Sequence, residues 1–120
     1  MRFIMLLPAP AEVLETAVPH PDRELVGAMH KYNEEMTKAG VLLAAEGLHP
    51  PSRGTRIRVS GGKRLITDGP FSEAKEVIAG FWIIEVRSKE EAIEWANRCP
   101  LPECGVIEIR EVYESCVPNA

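Results

Sequence analysis

The sequence has few cysteines and no long apolar run. Its three cysteines, Cys99, Cys104 and Cys116, form no Cys-x-x-Cys pair, so we expect neither a disulfide framework nor a common zinc site. No apolar stretch approaches the roughly 20 residues of a membrane-spanning helix. The apolar start, Met1 to Leu7, stops at Pro8 and is too short for a secretory signal, so we expect a cytoplasmic protein.

The sequence also lacks a basic excess and any nucleotide-binding motif. Its formal net charge is −4 and its pI about 5.4, whereas nucleic-acid-binding domains are usually basic. It contains no Gly-x-Gly-x-x-Gly turn, no phosphate-binding loop and no Gly-x-Ser-x-Gly nucleophile turn. We therefore expect no nucleic acid, membrane, cofactor or metal as a partner, and no acyl transfer by a serine nucleophile.

What is present is the composition of one soluble domain. Hydrophobic residues make up 45% and charged residues 27% of the 120-residue chain, which is long enough to bury one core but not two. We expect a single domain over residues 1–120, with residues 114–120 as a frayed tail.

Capping residues and apolar spacing predict two helices. The first begins at an Asp22 cap and stops at Gly40. Ser88 and Glu91 form a capping box that begins the second helix, which ends at Pro100. The apolar face of the first helix consists of residues three or four positions apart: Leu25, Met29, Tyr32, Met36 and Ala39.

Six short segments are predicted to be strands, and a proline-rich connection, Pro8 to Pro21, follows the first. Gly61 and Gly62 join the third and fourth strands as a β-hairpin. Removing this hairpin leaves the split βαβ order of a ferredoxin-like α+β fold. The six strands are Arg2–Leu7, Val41–Leu48, Arg56–Val59, Arg64–Thr67, Gly80–Val86 and Val106–Tyr113.

The first strand and the strand after the hairpin are the most continuously apolar, as the two central strands of such a sheet should be. Two helices cover one face only, and an apolar patch of roughly 300–600 Å² or more is rarely left exposed on a monomer. We predict a homodimer in which the open sheet faces pair by two-fold symmetry. A monomer with a loop folded over the sheet is the alternative.

The sequence Thr-Asp-Gly-Pro-Phe-Ser-Glu in the middle of the chain is the main candidate site. Gly69 and Pro70 predict a stiff turn that holds Asp68 at the end of a strand. A carboxylate in a partly apolar cleft is a suitable general base, and Phe71 and Trp82 would form the apolar wall. The alternative is a turn carboxylate that hydrogen-bonds local groups and does no chemistry.

Four further side chains are candidates for the same site. Glu46 is a charge at a strand position that we expect to be buried, where it needs a partner or a ligand, unless the strand end is open to water. Histidine titrates near neutral pH, so His49 suits proton transfer, although a lone loop histidine is more often solvated. Glu73 follows Ser72, which can cap a helical turn, although most such charges lie on the surface. Tyr32 is expected to pack in the core with its hydroxyl in the cleft.

The hairpin is locally basic within an acidic protein. A nucleic-acid site needs a wider basic patch and usually stacking aromatic residues, so we interpret these charges as a solvated face. Steering of small anionic substrates is the alternative. The basic residues are Arg53, Arg56, Arg58, Lys63 and Arg64.

These segments resemble the YCII-related domain family, in particular its DGPF subgroup. The resemblance implies ferredoxin-like protomers joined in a dimeric α/β barrel, and a His–Asp pair in a cleft. The aspartate corresponds to Asp68, and the histidine to the helix position at Met29 or His30. The matching segments are Lys31–Glu35, Gly40–Pro50, the hairpin, Asp68–Phe71, Gly80–Trp82 and Lys89–Ala96.

We therefore expect a homodimer that binds a compact organic anion in a cleft near Asp68. If it is an enzyme, we expect cofactor-free proton transfer, either isomerisation or elimination next to a carbonyl. Asp68 would be the base and His30 or His49 its partner, while Tyr32 and Trp82 shape the pocket. The alternative is a non-catalytic regulatory or ligand-sensing module that acts through a protein partner.

Overall fold

The computed structural model describes residues 1–16, 23–71 and 75–114. The predicted Asp22 cap, Ser72, Glu73 and Cys116 lie outside the described residues. A short 3-10 turn, Pro51–Arg53, precedes the hairpin. The remaining elements are β1 (Arg2–Pro10), α1 (Ala11–Thr16), α2 (Arg23–Lys38), β2 (Leu42–Gly47), β3 (Thr55–Ser60), β4 (Lys63–Asp68), β5 (Glu76–Glu85), α3 (Lys89–Asn97) and β6 (Glu108–Glu111).

Four strands form one antiparallel sheet in the order β2-β5-β1-β6, and β3 and β4 pair with each other as a separate hairpin. The two most apolar strands, β1 and β5, lie at the centre of the sheet. This topology confirms the predicted ferredoxin-like α+β fold with an inserted hairpin. Gly61 and Gly62 have φ angles of +57° and +77°, as expected for a two-residue hairpin turn.

The core lies between one face of the sheet and the helices α2 and α3. Phe3 of β1 is opposite Ile84 of β5, and Met5 is opposite Trp82, so these four side chains share that face. They pack with the apolar faces of both helices because every second strand residue and every third or fourth helix residue is apolar. The buried helix residues are Tyr32, Met36, Ala92, Trp95 and Ala96.

The opposite side of the sheet, called the open face below, is also apolar at its centre. Ile4 is opposite Ile83, and Leu6 is opposite Phe81. None of these four side chains belongs to the buried core of the described residues, whereas the buried residues of α2 and α3 pack on the other side. Both faces of β1 and β5 therefore carry apolar side chains, as the sequence predicts.

The predicted connection from Pro8 to Pro21 is wrong in its first part. β1 continues to Pro10 after an irregularity between Leu7 and Pro8, and the six-residue helix α1 follows. Proline is tolerated at the end of β1 because the neighbouring β6 pairs only with Phe3 to Leu6. β5 begins at Glu76, four residues before the predicted start, because it pairs with this extension.

The second helix shows the predicted serine cap with a different partner for its glutamate. The Glu91 amide donates to Ser88 Oγ at 3.1 Å, as in a capping box. The Glu91 carboxylate, however, accepts from the amide of Arg87 at 3.0 Å, one residue before the cap. The helix ends at Asn97, before the predicted Pro100.

Candidate functional site

The Asp68 turn closes the base of the hairpin. Asp68 is exposed, and its Oδ1 accepts a hydrogen bond of 2.9 Å from the hydroxyl of Thr55, the residue opposite it. The Gly69 amide donates to the Gly54 carbonyl at 2.9 Å, and the peptide between Gly69 and Pro70 is cis. In this structure Asp68 is thus a hydrogen-bonded turn carboxylate, which is the alternative left open by the sequence.

Glycine is required at position 69 because the turn packs directly on the 3-10 turn. A Cβ atom at Gly69 would lie 1.8 Å from the carbonyl oxygen of Pro51, a distance that no side chain tolerates. The Phe71 ring lies beside the same position, 3.2 Å from that Cβ. The Asp-Gly-Pro-Phe turn therefore fixes the hairpin base against the segment that precedes β3.

A pocket of about 390 Å³, the hairpin-base pocket, lies beside this turn. The Arg56 guanidinium carbon lies 4.0 Å from the centre of the half-buried Phe71 ring, a cation–π contact. Arg53 Nη1 lies 3.2 Å from Nδ1 of the exposed His49. The pocket also contains apolar side chains, and none of its described lining residues is acidic. This combination suits a small organic anion.

A second pocket of about 240 Å³, the helix–sheet pocket, lies between α2 and the end of the sheet. Trp82 Nε1 donates a hydrogen bond of 2.7 Å to Asn33 Oδ1, and both residues line this pocket. Met29, one turn earlier on α2, also lines it. Nothing local in the sequence marks Asn33 as a site residue, although its spacing of four from Met29 places the two on one helix face.

Glu46 borders the helix–sheet pocket but is not buried. It is exposed and lies opposite Phe81, on the open face of the sheet. The expectation of a buried charge is therefore wrong, because β2 is an edge strand with an irregularity between Leu42 and Ala44. The strand end is open to water, which is the alternative left by the sequence.

Tyr32 packs in the core as expected, but its hydroxyl does not point into a ligand pocket. The hydroxyl donates a hydrogen bond to the backbone carbonyl of Trp95, and the Tyr32 ring meets Trp82 edge-on with ring centres 5.7 Å apart. Burial raises the pKa of the Tyr32 hydroxyl, and the nearby Cys99 raises it further. The expectation that its hydroxyl reaches the cleft is wrong, because a buried hydroxyl needs this hydrogen-bond partner.

The two candidate histidines do not share a pocket with Asp68. His30 is exposed and lies in a groove on the surface of α2, because Met29 takes the adjacent position toward the core. His49 lines the hairpin-base pocket, which Asp68 does not line. Phe71 and Trp82 line different pockets, so they do not form one apolar wall. Glu73 lies outside the described residues.

Within residues 1–16, 23–71 and 75–114, no three or more histidine, cysteine or acidic side chains gather as metal ligands would. Within the same ranges, no helix combines the length and the apolar character that crossing a bilayer requires.

Comparison with known proteins identifies relatives of this chain. The YCII-related domain family matches residues 1–115. An uncharacterised protein of Rhizobium meliloti (strain 1021) is 34% identical over 90 residues, which cover 73% of this chain and 69% of the relative. These matches agree with the segments that resemble the family in the sequence. The chain belongs to the YCII-related domain family.

Proposed function

We propose that this protein binds a small organic anion in the hairpin-base pocket and works as a homodimer. The observation that carries the ligand proposal is the lining of that pocket, which combines Arg53, Arg56, His49 and Phe71 and includes no acidic side chain among the described residues. The pocket adjoins the Asp68 turn, where the sequence predicts the ligand. The proposal keeps the predicted ligand class.

The ligand class follows from the donors and the size of the pocket. Guanidinium groups present several N–H donors in a plane and recognise carboxylate or phosphate oxygens in pairs. Pro51, Val77 and Ile78 supply apolar contacts for a carbon skeleton, and a volume of about 390 Å³ suits a compact molecule. A small carboxylate with an apolar body fits this description best.

If the ligand is turned over, Asp68 is the proposed base in a cofactor-free proton transfer, which requires a ligand that extends beyond the pocket because Asp68 adjoins the pocket without lining it. His49 is then the preferred proton partner, because it lines the hairpin-base pocket whereas His30 does not. Thr55 holds one Asp68 oxygen, which orients the carboxylate. A non-catalytic, ligand-sensing role is the second candidate, and it is favoured by the exposure of Asp68 and by this local hydrogen bond.

The homodimer proposal rests on the open face. Ile4, Leu6, Phe81 and Ile83 form a continuous apolar centre on two adjacent strands, and the helices pack on the other side. Pairing this face with its own copy by a two-fold axis removes both apolar centres from water.

Calorimetric titration with benzoate and with inorganic phosphate tests the ligand site. Arg53→Gln should weaken binding by about tenfold or more, because it removes one charged donor from the pocket. Arg58→Gln is the matched control, since Arg58 is exposed on the same strand as Arg56 but does not line the pocket. Equal losses in both variants, or no binding to the wild type, contradict the proposal.

Asp68→Asn separates the two roles at this site. If Asp68 is the base, the variant keeps ligand binding and loses turnover of a bound substrate. If the protein only senses the ligand, wild type and variant bind alike and neither shows turnover. Circular dichroism checks that the variant remains folded, which is expected because the amide still accepts the Thr55 hydrogen bond.

A further inference from the structure

The β3–β4 hairpin is exposed along its whole length. Ile57 lies opposite Ile66 and Val59 lies opposite Arg64, so these four side chains share one face. Ile57, Val59 and Ile66 are 62%, 63% and 72% exposed, and we call them the apolar hairpin face. Large β-branched side chains on one side of a strand pair are typical of a surface that packs on something.

The hairpin has little means of stabilising itself. An isolated two-stranded hairpin is marginally stable at best in water, and three strands or a packed face are normally needed. In the described residues, β3 and β4 pair only with each other. The other hairpin face carries Arg56, Arg58 and Lys63 and is suited to water. A cover on the apolar hairpin face would supply the missing packing.

The shape of the chain agrees with a projecting element. Its radius of gyration is 16.6 Å and its extents are 46 × 44 × 20 Å. A compact domain of this length has a radius of gyration of about 14 Å. The chain is therefore less compact than an average domain of its length, and its flat shape leaves a wide surface for a second molecule to contact.

We propose that the hairpin is an arm that packs its apolar face on a second copy of this chain, at the rim of the partner's open face formed by β2. This inference rests on the homodimer proposed above and adds a second contact to it. Leu43 on β2 is 54% exposed and supplies apolar surface at this rim. Glu46, also exposed, supplies a carboxylate that Arg64 of the arm meets.

The distribution of charge favours the β2 rim over two other surfaces of the partner copy, its hairpin and its β6 rim. Residues 53–64 contain five of the fourteen basic residues of the chain and no acidic residue. Packing the apolar faces of two hairpins on each other places the Arg64 cation of each copy on the same buried surface and supplies no carboxylate from residues 53–64, which is unfavourable. The opposite rim, formed by β6, carries both Arg110 and Glu108 on the open face, so its charges offset each other, whereas Glu46 is the one charged residue of β2. The β2 rim combines exposed apolar surface with a carboxylate.

Sedimentation equilibrium of the full chain and two hairpin variants tests the arm. Ile66→Glu places a charge on the apolar hairpin face and should weaken dimerisation by about tenfold or more. Leu65→Glu is the matched control, because Leu65 is the neighbouring residue on the opposite hairpin face and is 42% exposed. It should change the dimer constant by less than about threefold, as peripheral contacts do. Neither change affects a buried position.

Charge reversal tests the pairing itself. Glu46→Arg should weaken the dimer, and adding Arg64→Glu in the same chain should restore it. The arm proposal is contradicted if Ile66→Glu and Leu65→Glu change the dimer constant equally, or if the double reversal does not restore the dimer.

A variant of the open face distinguishes failure of the arm from failure of the homodimer. If Phe81→Glu gives monomers while Ile66→Glu does not weaken the dimer, the arm is wrong and the homodimer stands. If the wild type is a monomer, both are wrong, and the ligand proposal is judged separately by calorimetry.

Discussion

The molecule contains two antiparallel strand pairs of opposite character, β1–β5 and β3–β4. In the first pair Met5 and Ile84 are completely buried, whereas in the second every residue is exposed. Apolar side chains are continuous along the centre of β1 and β5, whereas in β3 they alternate with arginines, so the two pairs differ already in their sequence pattern. The difference in burial comes from what packs on them: α2 and α3 cover one face of β1–β5, and neither covers the hairpin. Stability therefore resides in the first pair, and the second pair is available for binding.

The largest difference between the two strand pairs is expected when a core side chain is truncated. Ile84→Ala should reduce the free energy of unfolding by about 2–5 kcal/mol, because it leaves a cavity among buried side chains. Leu65→Ala in the hairpin should change it by less than about 0.5 kcal/mol. Urea unfolding followed by circular dichroism measures both, at one fixed protein concentration. Similar losses in the two variants would show that the hairpin is part of the cooperative core.

Alkaline pH should weaken the same core. Burial raises the pKa of the Cys99 thiol from 9.0 to about 11, and it also raises the pKa of Tyr32 above its ordinary value of 10.0. Both groups ionise more readily in the unfolded chain, so their contribution is fully present below pH 9. It is lost as pH rises from 9 to about 11 for Cys99, and above pH 10 for Tyr32.

The slope of this loss is up to about 1.4 kcal/mol per pH unit for each proton that only the unfolded chain releases. Urea midpoints measured from pH 8 to about pH 11 give the slope, and Cys99→Ala should make it shallower between pH 9 and 11. An unchanged slope in that variant would show that Cys99 does not contribute to the loss of stability at alkaline pH.

The hydrogen bond between Asn33 and Trp82 tests how much a partly buried contact at the edge of the core contributes to stability. Asn33→Leu leaves the Trp82 Nε1–H without its acceptor and should cost about 1–3 kcal/mol of unfolding free energy. Asn33→Asp, which keeps an acceptor oxygen, should restore part of the loss and serves as the control. Urea unfolding gives the energies, and the tryptophan emission spectrum reports on Trp82. Equal unfolding free energies for Asn33→Leu and Asn33→Asp would show that the hydrogen bond does not contribute to stability.

The smallest effect is expected from the ion pair between the helices. Glu35 Oε2 lies 2.8 Å from Arg98 Nη2, with both side chains substantially exposed. Glu35→Gln should cost less than about 1 kcal/mol, and the difference from wild type should vanish in about 1 M salt. The substitution leaves Arg98 stacked on Trp95, so the measurement isolates the charge. A loss comparable to that of Ile84→Ala would contradict its assignment as a surface contact.

Much of the fold follows from the sequence because its signals are local. Gly40, Gly61 and Gly62 all have positive φ angles, and Ser88 caps α3, as the residue types predict. Apolar continuity also selects the correct central strands. The continuation of β1 through Pro10 is not predictable locally, because it depends on which residues of β6 pair with β1.

The candidate site is less predictable because it depends on tertiary packing. Phe71 and Trp82 look equivalent in the sequence. In the structure Phe71 stacks with Arg56 at the hairpin base, whereas Trp82 donates a hydrogen bond to Asn33 of α2. Asn33 escapes notice because a single asparagine on a helix carries no local signal of its partner. Tyr32 is assigned correctly to the core but not its hydroxyl, since the Trp95 carbonyl that it reaches lies 63 positions away.

The hairpin insertion leaves and re-enters the main sheet at neighbouring positions. Gly47 of β2 lies opposite Gly80 of β5, and the Leu48 amide donates to the Ala79 carbonyl at 2.8 Å, so the two ends of the insertion are tied together. The pairing of β2 with β5 therefore holds the two ends of the insertion at a fixed separation, so a change in the length of the hairpin itself leaves this pairing in place.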